Sequence, residues 1–346
     1  MFNQALMLSD RNALDWADVP VAPRPGPGEV RIAIRAFALN HLDLFSLRGM
    51  AFAKRALPLV AGVEGAGYVT DVGPDVAGLS LGDAVVIYPG VTCGRCIACR
   101  EGRDNLCEAP EGIMGFHRHG IAAHTVTVPA RLAIKVPDGV DIREATTAPV
   151  TFATVLHMLV TNARLSANES LLVHAAGSGI GSTAIKLAKR MGVSVFATVG
   201  DDKKIPRARS IGADYVINYR EQRFESVIRR LTDKRGVDVV FEHVGVSTWR
   251  GSMASLALGG RLVTCGSTSG VSTELDLLHL FNRQIKILAS FGGTIADVSA
   301  GLALMADGLR PEIDAIVPPA RIHEALARIA ARNVFGKIIV DMEMPG

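Results

Sequence analysis

Residues 171–181, Leu-Leu-Val-His-Ala-Ala-Gly-Ser-Gly-Ile-Gly, constrain this chain more than any other stretch. A short apolar run, Leu171–His174, leads into Gly177, Gly179 and Gly181 and then an amphipathic segment. There Ile180, Ala184, Leu187 and Met191 fall on one face of a 3.6-residue period, which predicts a helix. A strand that turns through glycines into a helix aims free N–H groups at one point, and the helix dipole adds positive charge there. Gly177, Ser178, Gly179, Ile180 and Gly181 are therefore expected to hold a phosphate. The pattern is a loosened dinucleotide fingerprint, because Ser178 stands where the middle glycine would be. Taken alone, the glycines also fit a tight packing turn.

The residues beyond the turn favour the nucleotide reading. Further strands are expected at Val193–Val199, Val216–Asn218, Val237–Val244, Arg261–Cys265 and Ile285–Ser290, with helical patterns between several of them. Alternation at this spacing predicts an α/β domain with a doubly wound parallel sheet and helices on both faces. Before it the pattern differs: Glu29–Ala36, Gly65–Val72, Asp83–Tyr88 and Ala123–Val128 are short β-like runs bounded by Gly, Pro or Asp. A mainly β domain over 1–150, completed by 290–346, and a nucleotide domain over 151–289 are expected. The tail ends on another strand, Lys337–Val340.

A length of 346 residues suits two domains, and 49% hydrophobic residues suffice for two cores. The net charge of +3 comes without a basic block, and aromatics are 5%, so nucleic acid gains no support. No secretory leader pattern and no long uncharged apolar run is seen, so no membrane association and a cytoplasmic protein are expected.

Cys93-x2-Cys96-x2-Cys99-x7-Cys107 is the most specific motif. Four thiols at this spacing can close a tetrahedral shell around one Zn²⁺, with no position left for substrate, so the metal would be structural. An iron–sulfur cluster is the chemical competitor. The fifth cysteine, Cys265, is expected to be a small core residue. His117, His119 and His124 come after the cysteines, and a three-histidine metal site is a further reading.

Gly62-Val63-Glu64-Gly65-Ala66-Gly67, the four-cysteine lobe, the glycine turn and Ile217-Asn218-Tyr219-Arg220 together resemble the medium-chain dehydrogenase/reductase superfamily, over essentially the whole chain. Within it the chain is similar to the quinone oxidoreductase-like branch, with the structural-zinc lobe of the alcohol dehydrogenases retained. The resemblance implies a GroES-like catalytic domain, a Rossmann domain, and a homodimer or homotetramer joined through strand edges of the Rossmann domain. It also exposes departures. The three positions that ligate a catalytic zinc in the alcohol dehydrogenases fall on Asn40, on Val63, and near Val150 or Thr151. Valine cannot ligate and asparagine is a poor zinc ligand. Without a Lewis acid, oxidation of an ordinary alcohol lacks support. Hydride delivery to a quinone or an α,β-unsaturated carbonyl needs only hydrogen-bond donors for the delocalised charge.

The position of an NAD-selecting carboxylate falls on Val199, with Gly200 next; Asp201 and Asp202 come later. By resemblance Lys204 and Tyr219 match residues that hold the 2′-phosphate of NADPH, so NADPH is expected, with NADH as the alternative. Asp201 and Asp202 would oppose a phosphate if they turned inward. The resemblance also places Thr154, Val244, Gly266, Ser267 and Thr268 against the cofactor. Asn40, His41, Asp43 and Glu64 are the catalytic candidates: an amide that orients, a proton donor, a loop support and a cleft carboxylate. Phe45 and Phe52 are candidates for lining a small apolar substrate pocket. The expected activity is an NADPH-dependent reductase of quinones or enones. A zinc-type alcohol dehydrogenase with an altered metal site and a non-catalytic nucleotide-binding protein are the alternatives.

Overall fold

The computed structural model describes residues 2–9, 13–20, 24–49 and 55–345; Phe52 lies outside the described residues. The chain divides into two compact units, Met1–Ala153 with Thr294–Gly346, and Thr154–Gly293.

The spine of the first unit is β1 (Glu29–Ala38). Its period-2 alternation sends Val30, Ile32 and Ile34 into the core, while Arg31 and Arg35 stay half-buried. β1 leads through Asn40 into α1 (His41–Arg48). It pairs antiparallel with β2 (Glu64–Val72), which pairs in turn with β3 (Ala84–Ile87). β4 (Thr125–Pro129) pairs antiparallel with the first half of β1. Phe37, Leu59, Ile87, Ile121 and Leu132 are fully buried around these strands, worth about 1.5–3 kcal/mol per large side chain.

The second unit is a six-stranded parallel sheet. Its elements include, in chain order, β5 (Ser170–Val173), α2 (Gly179–Arg190), β6 (Ser194–Val199), β7 (Tyr215–Asn218), β8 (Val237–Glu242), α3 (Val246–Ser255), β9 (Leu256–Thr264), α4 (Leu277–Asn282) and β10 (Lys286–Ala289), with further helices at Ile205–Ser210 and Phe224–Leu231. The spatial order is β7-β6-β5-β8-β9-β10. Leu171–Val173 and Val239–Phe241 are buried at every residue, as strands covered by helices on both faces must be. The order reverses between β5 and β8, and ligands of open α/β sheets bind outside the carboxyl ends of the strands at that reversal.

After β10 the chain re-enters the first unit through α5 (Ile295–Ala306), β11 (Ile313–Val317) and β12 (Lys337–Asp341). β12 pairs antiparallel with the end of β1, Ile339 opposite Ala38 and Asp341 opposite Ala36, and parallel with β11. Opposite ends of the sequence are thereby neighbours. Among the described residues, no helix is long and apolar enough to cross a membrane.

Candidate functional site

In the first unit the ends of β1, β2 and β12 bring Asn40, Glu64 and Lys337 together. Glu64 is fully buried and accepts five hydrogen bonds. Its Oε1 takes Asn40 Nδ2 at 3.0 Å, Thr151 Oγ1 at 3.3 Å and Lys337 Nζ at 2.6 Å; its Oε2 takes the amides of Val150 at 2.9 Å and Thr151 at 3.2 Å. Those amides are available because residues 148–152 form a wide π turn, in which Phe152 N–H donates to the carbonyl of Thr147. Lys337 Nζ also donates to Asn40 Oδ1 at 2.8 Å, and Asn40 Nδ2 gives its second hydrogen to Ala38 O at 3.2 Å. The Asn40 amide is thus held at both ends by protein, and the network orients it.

The positions that the resemblance assigns to catalytic-zinc ligands hold no thiolate or imidazole. Val63 is fully buried, Thr151 donates to Glu64, and Asn40 is bound to an ammonium. These residues do not fit a zinc ion. An internal cation, Lys337, stands with Glu64 instead. The sequence marks Lys337 only as a strand residue; the one signal of its role is a charged residue opening the apolar run Lys337–Val340.

Asp43 Oδ2 accepts the Asn40 N–H at 2.7 Å, fixing the entry to α1. Its Oδ1 is buried without a partner. Burial pushes this carboxyl up to about 7 against the opposing pull of the Asn40 amide and of Lys337. His41 opens α1 on its exposed side. Phe45 is half-buried in the same helix.

The four cysteines converge. Their Sγ atoms all lie within 4.8 Å of one another, and Cys93 and Cys99 are 4.0 Å apart at sulfur. A zinc tetrahedron with Zn–S of about 2.3 Å has an edge of about 3.8 Å, so the set fits that ion. The Arg95 and Cys96 amides hold the Cys93 thiol down to about 6, and the Glu108 and Cys99 amides lower Cys96, whereas burial pushes Cys99 up to about 12. Asp104 anchors the lobe: its carboxylate accepts the Ile295 N–H at the start of α5, at 3.2 Å. The histidines after the lobe do not form a site. His119 Nδ1 accepts from Val60 N and His117 Nδ1 from Ile113 N, and among the described residues the cysteines are the only metal-type cluster of three or more.

In the second unit Ser178 caps α2, its Oγ accepting Gly181 N–H at 2.9 Å. A side chain at Gly181 would run into the carbonyl of Ala175, so only glycine lets the helix start this close to the strand. The other first-turn amides, those of Gly179 and Ile180, have no partner within the helix by geometry and suit a phosphate. Gly177 is buried in the turn. A side chain at Gly200 would strike the Tyr219 ring, which is half-exposed beside it. Asp201 and Asp202 are spent locally: Asp201 accepts Lys203 N–H at 2.9 Å and Asp202 accepts Asn218 Nδ2 at 2.9 Å. Lys204 ends that short turn. Thr154 is buried near the unit's first residues. Val244 O accepts Thr268 Oγ1 at 3.2 Å and Ser269 Oγ at 2.7 Å, tying the loops after β8 and β9 together. Gly266 packs on the His243 carbonyl, and Ser267 is adjacent in the same loop.

Comparison with known proteins agrees with this fold. Residues 26–138 match the alcohol dehydrogenase GroES-like domain, and residues 179–307 the zinc-binding dehydrogenase domain. A quinone oxidoreductase of Pseudomonas aeruginosa is 30% identical over 94% of this chain and 95% of its own. An acryloyl-coenzyme A reductase of Metallosphaera sedula is 30% identical over 92% and 93%. An alcohol dehydrogenase of Geobacillus stearothermophilus is 29% identical over 93% and 94%. The chain also matches a mycocerosic acid synthase-like polyketide synthase of Mycobacterium tuberculosis at 29% identity, but spans only 15% of that protein. A crystal structure of an NAD-dependent alcohol dehydrogenase superposes with a TM-score of 0.92 at 38% identity, covering 98% of this chain and 99% of that one. The chain is an oxidoreductase and belongs to the medium-chain dehydrogenase/reductase superfamily.

Proposed function

We propose that the protein is an NADPH-dependent reductase of quinones or α,β-unsaturated carbonyl compounds, with one structural zinc and no catalytic zinc. The observation that carries this reading is the Asn40–Glu64–Lys337 network, in which the one polar residue at a position that the resemblance assigns to a zinc ligand, Asn40, is held by a carboxylate and an ammonium. NADPH when bound supplies a hydride. The chain's own part is to orient. Lys337 and Glu64 fix Asn40 at the end of β1, and the local charges balance without a Lewis acid. An enolate or hydroquinone oxygen spreads its own charge, so this polar setting is adequate for it, whereas an alkoxide from a simple alcohol would need a metal. The names of two relatives, quinone oxidoreductase and acryloyl-coenzyme A reductase, fit conjugated acceptors.

NADPH is favoured over NADH because the end of β6 is Val199-Gly200, with the next two residues, both aspartates, engaged locally. Tyr219 and Lys204 are the residues this reading assigns to a 2′-phosphate. Cys93, Cys96, Cys99 and Cys107 would hold the zinc, which there clamps the lobe and takes no part in the reaction.

The test is a panel of acceptors with NADPH and NADH, monitoring loss of reduced nicotinamide absorbance, with metal content measured on the same sample. Turnover of quinones or enones with NADPH at one zinc per chain is expected. Brisk oxidation of simple alcohols, or a second zinc needed for activity, would overturn the reading.

A further inference from the structure

A buried carboxylate that the proposed chemistry does not use lies under the nucleotide edge of the second unit. Glu242 is the last residue of β8 and fully buried. His174 directly succeeds β5, so the two flank the reversal of strand order. Glu242 Oε1 accepts Val244 N–H at 2.7 Å and Gly245 N–H at 3.0 Å; Oε2 accepts Ser252 Oγ at 2.6 Å, and Thr248 Oγ1 reaches both oxygens.

No lysine or arginine is paired with Glu242 among the described residues; its basic neighbour is His174, with Nε2 at 3.6 Å. That imidazole is neutral. Thr198 Oγ1 accepts Ala175 N–H at 3.1 Å and lies 3.2 Å from His174 Nδ1, where a neutral ring can accept its hydrogen. Nε2–H then donates to Ser252 Oγ at 2.8 Å, whose hydrogen goes to Glu242. Burial agrees, holding His174 down to about 4 and lowering His243 as well. Burial also works against the Glu242 charge; the attraction of His174 first, then the Ser252 hydroxyl and the Gly245 and Val244 amides, hold it below the usual carboxylate range, and beside a neutral ring it is those donors that favour the anion.

A net negative charge is therefore fixed beneath the loops after β8 and β9. The glycine turn after β5 suits the pyrophosphate, and the end of β6 the adenosine ribose. The nicotinamide half then falls to β8 and β9. We infer that Glu242 is a positioning residue that also biases nucleotide binding toward the oxidised, positively charged nicotinamide, making the bound reduced form a stronger hydride donor. This rests on the nicotinamide-nucleotide reading proposed above, not on the identity of the acceptor.

The experiment is equilibrium titration of the full chain with NADP⁺ and with NADPH, and in parallel with NAD⁺ and NADH, without any acceptor. Glu242→Gln keeps the shape and an acceptor for the Val244 and Gly245 amides but removes the charge. It should weaken oxidised relative to reduced nucleotide on the order of tenfold, the effect of a unit charge about 10 Å away at an effective dielectric near 20. Ser252→Ala removes a donor but no charge, and should leave that ratio within about twofold. Should Glu242→Gln fail to fold, Glu242→Asn takes its place with the same expected direction. An unchanged ratio in the neutral variant, or an equal shift in Ser252→Ala, overturns the inference and leaves the cofactor reading intact. Failure of the wild-type chain to bind either pair overturns both.

Discussion

At the scale of single residues, the Glu64–Lys337 pair dominates. Removing one partner leaves the other charged and buried, a loss of about 3–5 kcal/mol. Lys337→Met should lower the thermal midpoint strongly, and Glu64→Gln as well. The double variant should be less destabilised than the sum of the two, a coupling that calorimetry on all four proteins measures. Asp43 gives a pH signature. Its folded-state pKa, about 7, lies above the unfolded value, so the native state binds the proton more tightly. Its contribution to stability is therefore fully favourable below about pH 4 and falls by about 1.4 kcal/mol per pH unit up to about pH 7, then levels. Asp43→Asn lacks this slope. Denaturant titrations at pH 5 and pH 8 should show the variant gaining on wild type at the higher pH; a parallel pair of curves would contradict it. Asn40, Asp43 and Glu64 are legible as candidates because their residue types stand in recognisable motifs. Lys337 is not, because nothing local marks a lysine whose partners lie 273 and 297 positions away.

At the scale of elements, the sequence is most legible where local chemistry is decisive. The glycine turn and α2 can be read because Gly181 and Ser178 act within their own turn. Gly181→Ala should abolish nucleotide binding and destabilise the unit by about 1–3 kcal/mol, read by titration and thermal melting. The cysteine lobe is equally legible, since its spacing alone closes a shell. Cys99→Ala should reduce zinc from one per chain to none. The lobe should then become the first site cut by a protease, with the second unit's nucleotide affinity kept. The helix α1 is hidden: Asn40 reads as a turn residue, and its cap is completed by Asp43 three residues on. The π turn over 148–152 is also out of reach, because the carboxylate that takes its amides, Glu64, is distant in sequence and the turn has no periodic signature.

At the scale of the whole molecule, β10 is an edge strand, with no strand on its outer side among the described residues. Nearby in sequence, α4 exposes Leu277, Leu278 and Phe281 at 61–64% of their surface. Edges and apolar faces of this kind invite pairing with a second copy. A homodimer is expected by sedimentation, and Phe281→Asp should shift it to monomer without altering the nucleotide-binding loops. The return of the chain has a different bearing, on how the protein is made. Because β12 lies beside β1, the Asn40–Glu64 pair is on the ribosome long before its ammonium is translated. Until residue 337 emerges, the first unit has a carboxylate with no counter-ion, and a transcript cut short of it yields a chain that keeps every strand of its parallel sheet yet can never complete the Asn40–Glu64–Lys337 network.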